Sequence, residues 1–151
     1  MRRSILFIGL PGSGKTTYIK NNIRGYHIVN ADNIKKTHPE WSLSNPEKVH
    51  NWSVIEAEKM MNEYSDIGVD ICMDSGGVNG KYSLRILNML KSKGYYVKII
   101  HMNTPLEICL ERNRKRVRKV PEQAIIEKSK KIDFCVKNQS LIADEYLRVD
   151  F

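Results

Sequence analysis

The 151-residue chain is predicted to fold as an α/β protein in which helices cover both faces of a parallel sheet of about five strands. Two observations predict this class. Short apolar segments typical of buried strands alternate along the chain with longer segments whose apolar residues recur at helical spacing. Strands that are separated by helices pair in parallel, because the helix carries the chain back across the sheet. We therefore expect one domain over residues 1–151.

The strands are predicted in chain order from these apolar segments. The first is a short apolar run that stops at Gly9, as buried strands often do before a turn. Three further runs rich in apolar and β-branched residues follow, and a shorter one near the end of the sequence completes the sheet. The five predicted strands lie at residues 4–8, 26–29, 69–74, 95–102 and 145–149.

The helices are predicted from apolar spacing and from residues that favour helix ends. Either Asp32 or Asn33 is expected to cap a short helix after the second strand. Thr104 is expected as an N-cap with Pro105 in the first turn, and Pro121 begins the last helix. The longer predicted helices cover residues 16–23, 81–93, 104 into the segment 112–119, and 121–137.

One further helix is predicted after a loop at residues 38–46. Ser44 or Asn45, followed by Pro46 and Glu47, is a helix-start signal, and the helix is expected to reach about Tyr64. Its apolar and charged residues trace a mixed face rather than a clean apolar stripe. The residues of that face are Val49, Trp52, Ile55, Glu56, Lys59 and Met60.

The most specific motif is the octapeptide Gly-Leu-Pro-Gly-Ser-Gly-Lys-Thr at residues 9–16, which fits the pattern G-x-x-x-x-G-K-S/T. Its glycines let the backbone curl so that several N–H groups face one concavity at the start of a helix, which makes an anion site. Lys15 supplies a cation for the β- and γ-phosphates of a nucleotide, and Thr16 supplies a hydroxyl for Mg²⁺. We therefore expect Mg²⁺ together with ATP, or another nucleoside triphosphate, as a phosphate donor.

Polar residues follow the ends of three predicted strands, where parallel sheets gather their ligands. They are Asp32, Asp74 and Asn103, and we expect them to converge with the octapeptide on one crevice. Asp32 is either the carboxylate that accepts a proton from an attacking hydroxyl or only a helix cap. Asp74 either holds Mg²⁺, directly or through water, or is a turn residue beside Gly76 and Gly77.

The formal net charge of +8 is unevenly distributed along the chain. Residues 112–119 hold six of the 25 basic residues in eight positions. A charge this large favours a polyanionic partner, although solubility explains it equally well. At helical spacing Arg112 and Arg116 share one face, and Arg114 and Arg118 share another. Such guanidinium groups stabilise the charge on a migrating phosphoryl group, whereas a charge run without that function is a solvated helix face.

Other features of the sequence limit the class of protein. No apolar stretch approaches the length of a membrane span, and the first residues lack the cleavage site of a signal peptide. Cys72, Cys109 and Cys135 are far apart without metal-ligand spacing, so we expect buried thiols in a reducing compartment. We expect a cytoplasmic protein, of a cell or of the host if the chain is virus-encoded, with no membrane partner.

With these residues in place, the chain resembles the kinase domain of phage-type polynucleotide 5′-kinases, within the small P-loop kinase group. The matching segments run in order through nearly the whole chain: residues 9–17, 29–33, 73–75, and 112–116 with 119–121. The phosphate motif is common to many families, but the Asn-x-Asp turn and the Arg-Asn-x-Lys-Arg…Val-Pro segment are more selective. The resemblance implies a three-layer P-loop kinase fold with a basic helical lid.

The resemblance also implies a role for each matching residue. Asp32 corresponds to the general base, and Lys15 to the catalytic lysine that binds the nucleotide phosphates. Arg116 corresponds to a catalytic lid arginine that binds the donor phosphates. Lys35 stands where the family has an arginine that binds the acceptor, and lysine lacks the bidentate fork of that arginine. The implied nucleotide-binding residues are Gly12, Ser13, Gly14, Lys15, Thr16, Thr17, Arg112 and Arg116. The implied acceptor-binding residues are Asp32, Lys35 and Asp74, and the implied metal ligands are Thr16 and Asp74.

Three functions remain open at this point. The first is transfer of the ATP γ-phosphate to the 5′-hydroxyl end of DNA or RNA, with nucleic acid as the partner. The second is a small-molecule kinase acting on a nucleoside, sugar-nucleotide or metabolite, as in zeta-toxin-like relatives. The third is a nucleotide-binding switch without transfer activity, which Asp32 argues against because a switch needs no acceptor base.

Overall fold

The computed structural model describes residues 2–45 and 47–151, and these residues are organised around one five-stranded sheet. Every neighbouring pair of strands in it is parallel. The strands are β1 (Arg3–Ile8), β2 (His27–Val29), β3 (Ile71–Met73), β4 (Tyr96–Asn103) and β5 (Glu145–Asp150). Their order across the sheet is β2-β3-β1-β4-β5. The predicted fold class is confirmed.

The connections between the strands are helical, as predicted. The helices are α1 (Lys15–Asn22), α2 (Ala31–Lys35), α3 (His50–Ile67), α4 (Gly80–Ser92), α5 (Leu106–Arg114) and α6 (Glu122–Ile142). No helix within residues 2–45 and 47–151 is long and apolar enough to cross a membrane. The last helix runs five residues beyond its predicted end at residue 137.

The core lies on both faces of the sheet because successive residues of a strand point to opposite sides. On one face Leu6 and Ile8 of β1 join Met61 of α3 and Leu87 of α4 in the larger cluster. On the other face Ile5 and Phe7 of β1, with Cys72, Ile100 and Met102, pack against Ile19 of α1. Because β1 is central and its residues after Arg3 are buried, the loop that follows it is anchored by a well-buried strand.

The structure changes several predictions about helix ends. Neither Asp32 nor Asn33 caps α2: Asn30 does, since its side-chain oxygen accepts a hydrogen bond from the Asn33 N–H at 3.1 Å. The N-cap of α5 is Pro105 and not Thr104. The Thr104 hydroxyl instead donates to the Ser13 carbonyl oxygen at 2.8 Å, so it supports the loop after β1.

Helix α3 starts later and buries a different face than its apolar residues suggest. It begins at His50, Glu47 lies in a turn before it, and Pro46 of the predicted start signal lies outside the described residues. Ile55 is 57% exposed. The buried residues of the helix are Ser53, Ala57, Met61 and Ser65. Small side chains on this face let the helix approach its neighbours closely.

Candidate active site

The loop after β1 has the geometry of an anion site. Gly12 and Gly14 have φ angles of 84° and 95°, a left-handed conformation that side chains other than glycine rarely adopt. Gly14 is the N-cap of α1, so the loop lies at the positive end of the helix dipole, where the unpaired N–H groups of the first turn favour an anion. The buried Ser13 hydroxyl has no hydrogen-bond partner among the described residues. These features fit a bound phosphate group.

Lys15 lies beneath this loop and its charge is poorly compensated. Its Nζ donates hydrogen bonds to the carbonyl oxygens of Gly9 at 2.8 Å and Leu10 at 3.1 Å. Burial lowers the pKa of Lys15 to about 8; Asp74 opposes this shift, while Lys128 and Arg116 add to it. A cation that is held at this position without a carboxylate contact is ready to meet the charge of a nucleotide phosphate.

The predicted magnesium residues meet in the structure. The Thr16 hydroxyl donates to Asp74 Oδ2 at 3.0 Å, and the Asn30 amide donates to the same oxygen at 2.8 Å. A hydroxyl and a carboxylate next to a phosphate site are suitable ligands for Mg²⁺, which prefers oxygen. Residues 2–45 and 47–151 contain no cluster of three or more His, Cys, Asp or Glu suited to a metal. A magnesium ion here would therefore complete its coordination with phosphate oxygens and water.

Asp32 projects from the first turn of α2 toward two cations. Its Oδ1 lies 3.3 Å from Arg118 Nη1 and 3.6 Å from Lys35 Nζ, whereas Oδ2 accepts no hydrogen bond from the described residues. Burial by itself would raise the pKa of Asp32, but Arg118 and Lys35 outweigh it and hold the pKa below its usual value. The side chain is 55% exposed. Asp32 is thus an ionised carboxylate whose Oδ1 faces two cations and whose Oδ2 forms no ion pair or hydrogen bond within the described residues.

Lys35 is buried beneath this carboxylate. Its side chain is only 1% exposed, and its Nζ lies 3.4 Å from Glu47 Oε1 and 3.2 Å from His50 Nδ1, in addition to Asp32. The ammonium can donate to His50 Nδ1 when that nitrogen carries no proton. Burial would raise the pKa of Glu47, but Lys35 and Arg118 lower it overall. Lys35 therefore balances the two carboxylates in the structure.

The basic stretch is helical only in its first part, in contrast to the predicted helical lid. Helix α5 ends at Arg114, so Arg116 and Arg118 do not extend the faces of Arg112 and Arg114. Residues 115–120 form a turn and an extended segment, which we call the lid segment. The buried Asn113 ties the far end of the lid segment back to α5. Its side chain accepts from the Val120 N–H at 2.9 Å and donates to the Val120 carbonyl oxygen at 2.7 Å.

The arginines of this region have different environments. Arg112 Nη1 donates to the Gly12 carbonyl oxygen at 3.1 Å and so lies on the phosphate loop. Arg114 pairs with Glu122 on the surface. Arg116 is exposed, and its side chain forms no hydrogen bond or ion pair within the described part of the chain. Arg118 was expected to share a helical face with Arg114, but it lies beyond the helix and contacts both Asp32 and Glu47.

The carboxyl ends of the strands meet at one edge of the sheet, but not every predicted residue faces the crevice. Asn103 donates to Asp150 of β5 at 2.9 Å, so its side chain is engaged at the neighbouring strand. The prediction missed the contributions of Glu47, His50 and Asn30. Asparagine is a preferred N-cap residue, so its position directly before a predicted helix could have assigned Asn30. Nothing in the neighbouring sequence indicates that Glu47 or His50 belongs to the site.

A comparison with known proteins agrees with this geometry. Residues 5–132 match the AAA domain family, which contains P-loop kinase domains. The chain belongs to this family. The match contains the phosphate loop, Asp32, Asp74 and the lid segment. Phosphotransfer is the chemistry that this family membership supports.

The chain is similar in sequence to one curated relative and in fold to two solved structures. It is 30% identical over 139 residues to an L-seryl-tRNA(Sec) kinase of Methanococcus maripaludis, covering 85% of this chain and 52% of that protein. The chain thus spans about half the length of this relative. A structure from the PezAT toxin–antitoxin system of Streptococcus pneumoniae has a TM-score of 0.80 at 17% identity, over 99% of this chain and 69% of the other. A chain of the Pnkp1/Rnl/Hen1 RNA repair complex has a TM-score of 0.72 at 17% identity, over 90% of this chain and 45% of the other.

Proposed function

We propose that this domain is a polynucleotide 5′-hydroxyl kinase, which transfers the γ-phosphate of ATP to the 5′-hydroxyl end of DNA or RNA. The single observation that carries the proposal is the state of Asp32. Its carboxylate lies at the same sheet edge as the phosphate loop, is kept ionised by two cations, and has an oxygen without a hydrogen-bond partner among the described residues. A carboxylate in that state suits the acceptance of a proton from an attacking hydroxyl.

The donor side of the proposed reaction uses the phosphate loop. The backbone N–H groups of the loop bind the phosphates, and Lys15 becomes fully charged when they arrive. Thr16 and Asp74 would hold Mg²⁺, which would supply positive charge beside the β- and γ-phosphates. Arg112 approaches from α5 beside Gly12, and Arg116 has a free guanidinium that can turn toward the transferring group. Thr17, in the first turn of α1, completes the proposed nucleotide-binding set.

The acceptor side of the proposed reaction is formed by α2 and the lid segment. Asp32 Oδ2 receives the hydroxyl proton while the hydroxyl oxygen attacks the γ-phosphorus and the bond to the β-phosphate oxygen breaks. ADP and the 5′-phosphorylated end are the products. Lys35, which lies under Asp32, acts on the acceptor through that carboxylate. Asp74 would act on the acceptor only indirectly, by holding the metal with Thr16.

Charge supports a nucleic acid as the acceptor. The net charge of the chain is +8, and its densest basic run, residues 112–119, reaches both the phosphate loop and Asp32. An acceptor that carries a phosphate at every nucleotide would lie along this run. The seryl-tRNA kinase relative acts on a substrate that also contains RNA, which agrees with a polyanionic acceptor.

The test is a transfer assay with radiolabelled ATP and Mg²⁺ against single-stranded 5′-hydroxyl DNA and RNA, L-seryl-tRNA, nucleosides and small sugars. We expect phosphorylation of the oligonucleotides, and binding that weakens steeply as salt rises because phosphate contacts release counterions. Asp32→Asn keeps the size of the side chain and should abolish transfer with little change in ATP affinity. Asp66→Asn, at an exposed aspartate paired with Lys93, is the matched control and should be fully active.

Three results would reject the proposal. Full transfer by Asp32→Asn would show that this carboxylate is not the base. If L-seryl-tRNA alone is phosphorylated, the acceptor is the hydroxyl of its seryl group and not the 5′-hydroxyl end of a nucleic acid. Phosphorylation of a nucleoside or sugar, with no oligonucleotide binding at low salt, would identify a small-molecule kinase.

A further inference from the structure

The two ends of the basic region contact opposite sides of the proposed site. Arg112, near the end of α5, donates to the phosphate loop at the Gly12 carbonyl oxygen. Arg118, in the lid segment, contacts Asp32 on α2. One short stretch of chain therefore touches both the donor side and the acceptor side. A shift of this stretch would be felt at both places.

Arg118 differs from the other basic residues of the lid segment in its burial. Its side chain is 19% exposed, whereas Lys115, Arg116 and Lys119 are exposed. Burying a guanidinium costs free energy unless carboxylates compensate it. Arg118 has two such partners: Nη1 lies 3.3 Å from Asp32 Oδ1, and Nη2 donates to Glu47 Oε1 at 3.1 Å. The planar fork thus spans two carboxylates that come from different parts of the chain.

Of the two cations beside Asp32, Arg118 makes the closer contact. The Lys35 ammonium is 3.6 Å from Oδ1 and is shared with Glu47 and His50. The Arg118 guanidinium is closer, and its Nη2 hydrogen bond to Glu47 Oε1 fixes the planar fork beside Asp32, so it restrains the carboxylate more strongly. With Oδ1 restrained, Oδ2 has a defined direction.

We propose that Arg118 is a positioning residue for the acceptor base: it fixes the Asp32 carboxylate from the lid segment, with Glu47 as its second anchor, so that the base is correctly aimed when the lid segment lies over the donor. This inference rests on the proposed function, since it assigns Arg118 to the same reaction. It explains why the guanidinium is buried between two carboxylates instead of facing the solvent.

The proposal has consequences that a purely structural ion pair does not have. Arg118 contacts Asp32 and Glu47 rather than the phosphate loop, so its loss should lower kcat while the KM for ATP changes little. Four charged or titratable groups surround Asp32. They are Arg118 of the lid segment, Lys35 of α2, Glu47 of the loop before α3, and His50 of α3, which acts through Lys35. Removing the guanidinium removes the stronger favourable charge, so Asp32 should take up its proton at higher pH.

The experiment compares Arg118→Met, Arg118→Lys and Glu47→Gln with Arg85→Met. Arg85 is the matched control because its guanidinium also pairs with a glutamate, Glu58, but lies on α4 and outside the basic run. Steady-state kinetics with a 5′-hydroxyl oligonucleotide should show kcat reduced roughly tenfold to a hundredfold in Arg118→Met, with the KM for ATP within about twofold of wild type. Arg118→Lys and Glu47→Gln should be intermediate, and Arg85→Met should be unchanged.

The pH dependence provides a second measurement. The acidic limb of kcat should move to higher pH in Arg118→Met and less in Arg118→Lys, and NMR titration of the Asp32 carboxyl should show the same order without any turnover. An unchanged acidic limb together with unchanged kcat in Arg118→Met would overturn the inference, as would a loss confined to the KM for ATP. If Met at this position prevents folding, the Lys variant alone decides between the same outcomes.

Failure of this inference can be told apart from failure of the proposed function. If Asp32→Asn is inactive and Arg118→Met behaves like wild type, Asp32 remains the base and only the role of Arg118 is wrong. If Asp32→Asn is fully active, there is no base for Arg118 to position and both are wrong.

Discussion

The lowered pKa of Lys15 makes ATP binding depend on pH in a predictable way. In the free protein burial lowers this pKa from 10.5 to about 8. Bound phosphates would place negative charge against the ammonium and restore a pKa of at least the usual value. Binding then takes up a proton above pH 8. The dissociation constant should be constant below about pH 7 and should rise about tenfold by pH 9, which corresponds to about 1.4 kcal/mol for one unit of pKa.

Isothermal titration of ATP and Mg²⁺ at several pH values measures this effect directly. In buffers of different ionisation enthalpy, proton uptake should be about half a proton at pH 8 and close to one at pH 9. Lys15→Arg, which stays protonated throughout, should abolish the pH dependence, whereas Lys20→Met on the exposed side of α1 should preserve it. Constant affinity and no proton uptake across this range in the unmodified protein would refute the argument, because Lys15 would then be fully charged before the phosphates arrive.

Two further predictions concern stability. Gly12→Ala should weaken ATP binding and lower the melting temperature more than Gly25→Ala. Both glycines have positive φ, but a Cβ at Gly12 would lie 2.7 Å from the Cys109 carbonyl oxygen, whereas nothing lies within 4 Å of one at Gly25. Equal melting temperatures for the two variants would contradict this close approach. Asn113→Ala should destabilise the protein by about 2 kcal/mol and expose the lid segment to proteolysis, since it leaves the half-buried N–H and carbonyl of Val120 without their hydrogen-bond partner. Denaturant unfolding and limited proteolysis check this against Asn88→Ala on the exposed side of α4, and a cost no larger than that control would show that the tether is weak.

The strands and the phosphate loop could be predicted from the sequence because their signals are local. A central parallel strand must be apolar on both faces, so β1 reads as an uninterrupted apolar run. The glycine spacing of the loop reports directly on backbone geometry, and the positive φ angles of Gly12 and Gly14 confirm it. Strand boundaries were correct to within about two residues for the same reason.

The buried face of α3 could not be predicted from hydropathy. Ser53 and Ser65 are buried because each hydroxyl donates to a carbonyl one turn earlier, at 2.7 Å to His50 and at 3.0 Å to Asn62, and so carries no unsatisfied polar group into the core. Ile55 is left in solvent even though it is more apolar. The choice between these faces depends on how closely α3 packs on the rest of the fold, which the helix sequence alone does not contain.

The site was predictable in its donor half and only partly in its acceptor half. Lys15, Thr16 and Asp74 lie where the motif and the strand ends predict them. The surroundings of Asp32 depend on long-range contacts: Glu47 is 15 positions further along the chain and Arg118 is 86 positions further. A run of basic residues gives no local sign of which member turns inward, so Arg118 could not be distinguished from Arg116 before the fold was known.

The different contacts of Lys35 and Arg118 follow from the different geometries of the ammonium and guanidinium groups. Lys35 is buried among three partners, Asp32, Glu47 and His50, at 3.2–3.6 Å. A compact ammonium with three rotatable donors suits such a site better than a planar guanidinium, whose donors lie in one plane. Arg118 comes from the lid segment, and its fork contacts the same Asp32 and Glu47 oxygens through its two terminal nitrogens. On the resemblance stated above, the family places an arginine on α2; in this chain a lysine occupies that helix, and the guanidinium beside the base comes from the lid segment. On the proposed function, the orientation of Asp32 is therefore tied to the position of the segment that begins beside the phosphate loop, so that donor and acceptor would both influence the proposed base through one connection.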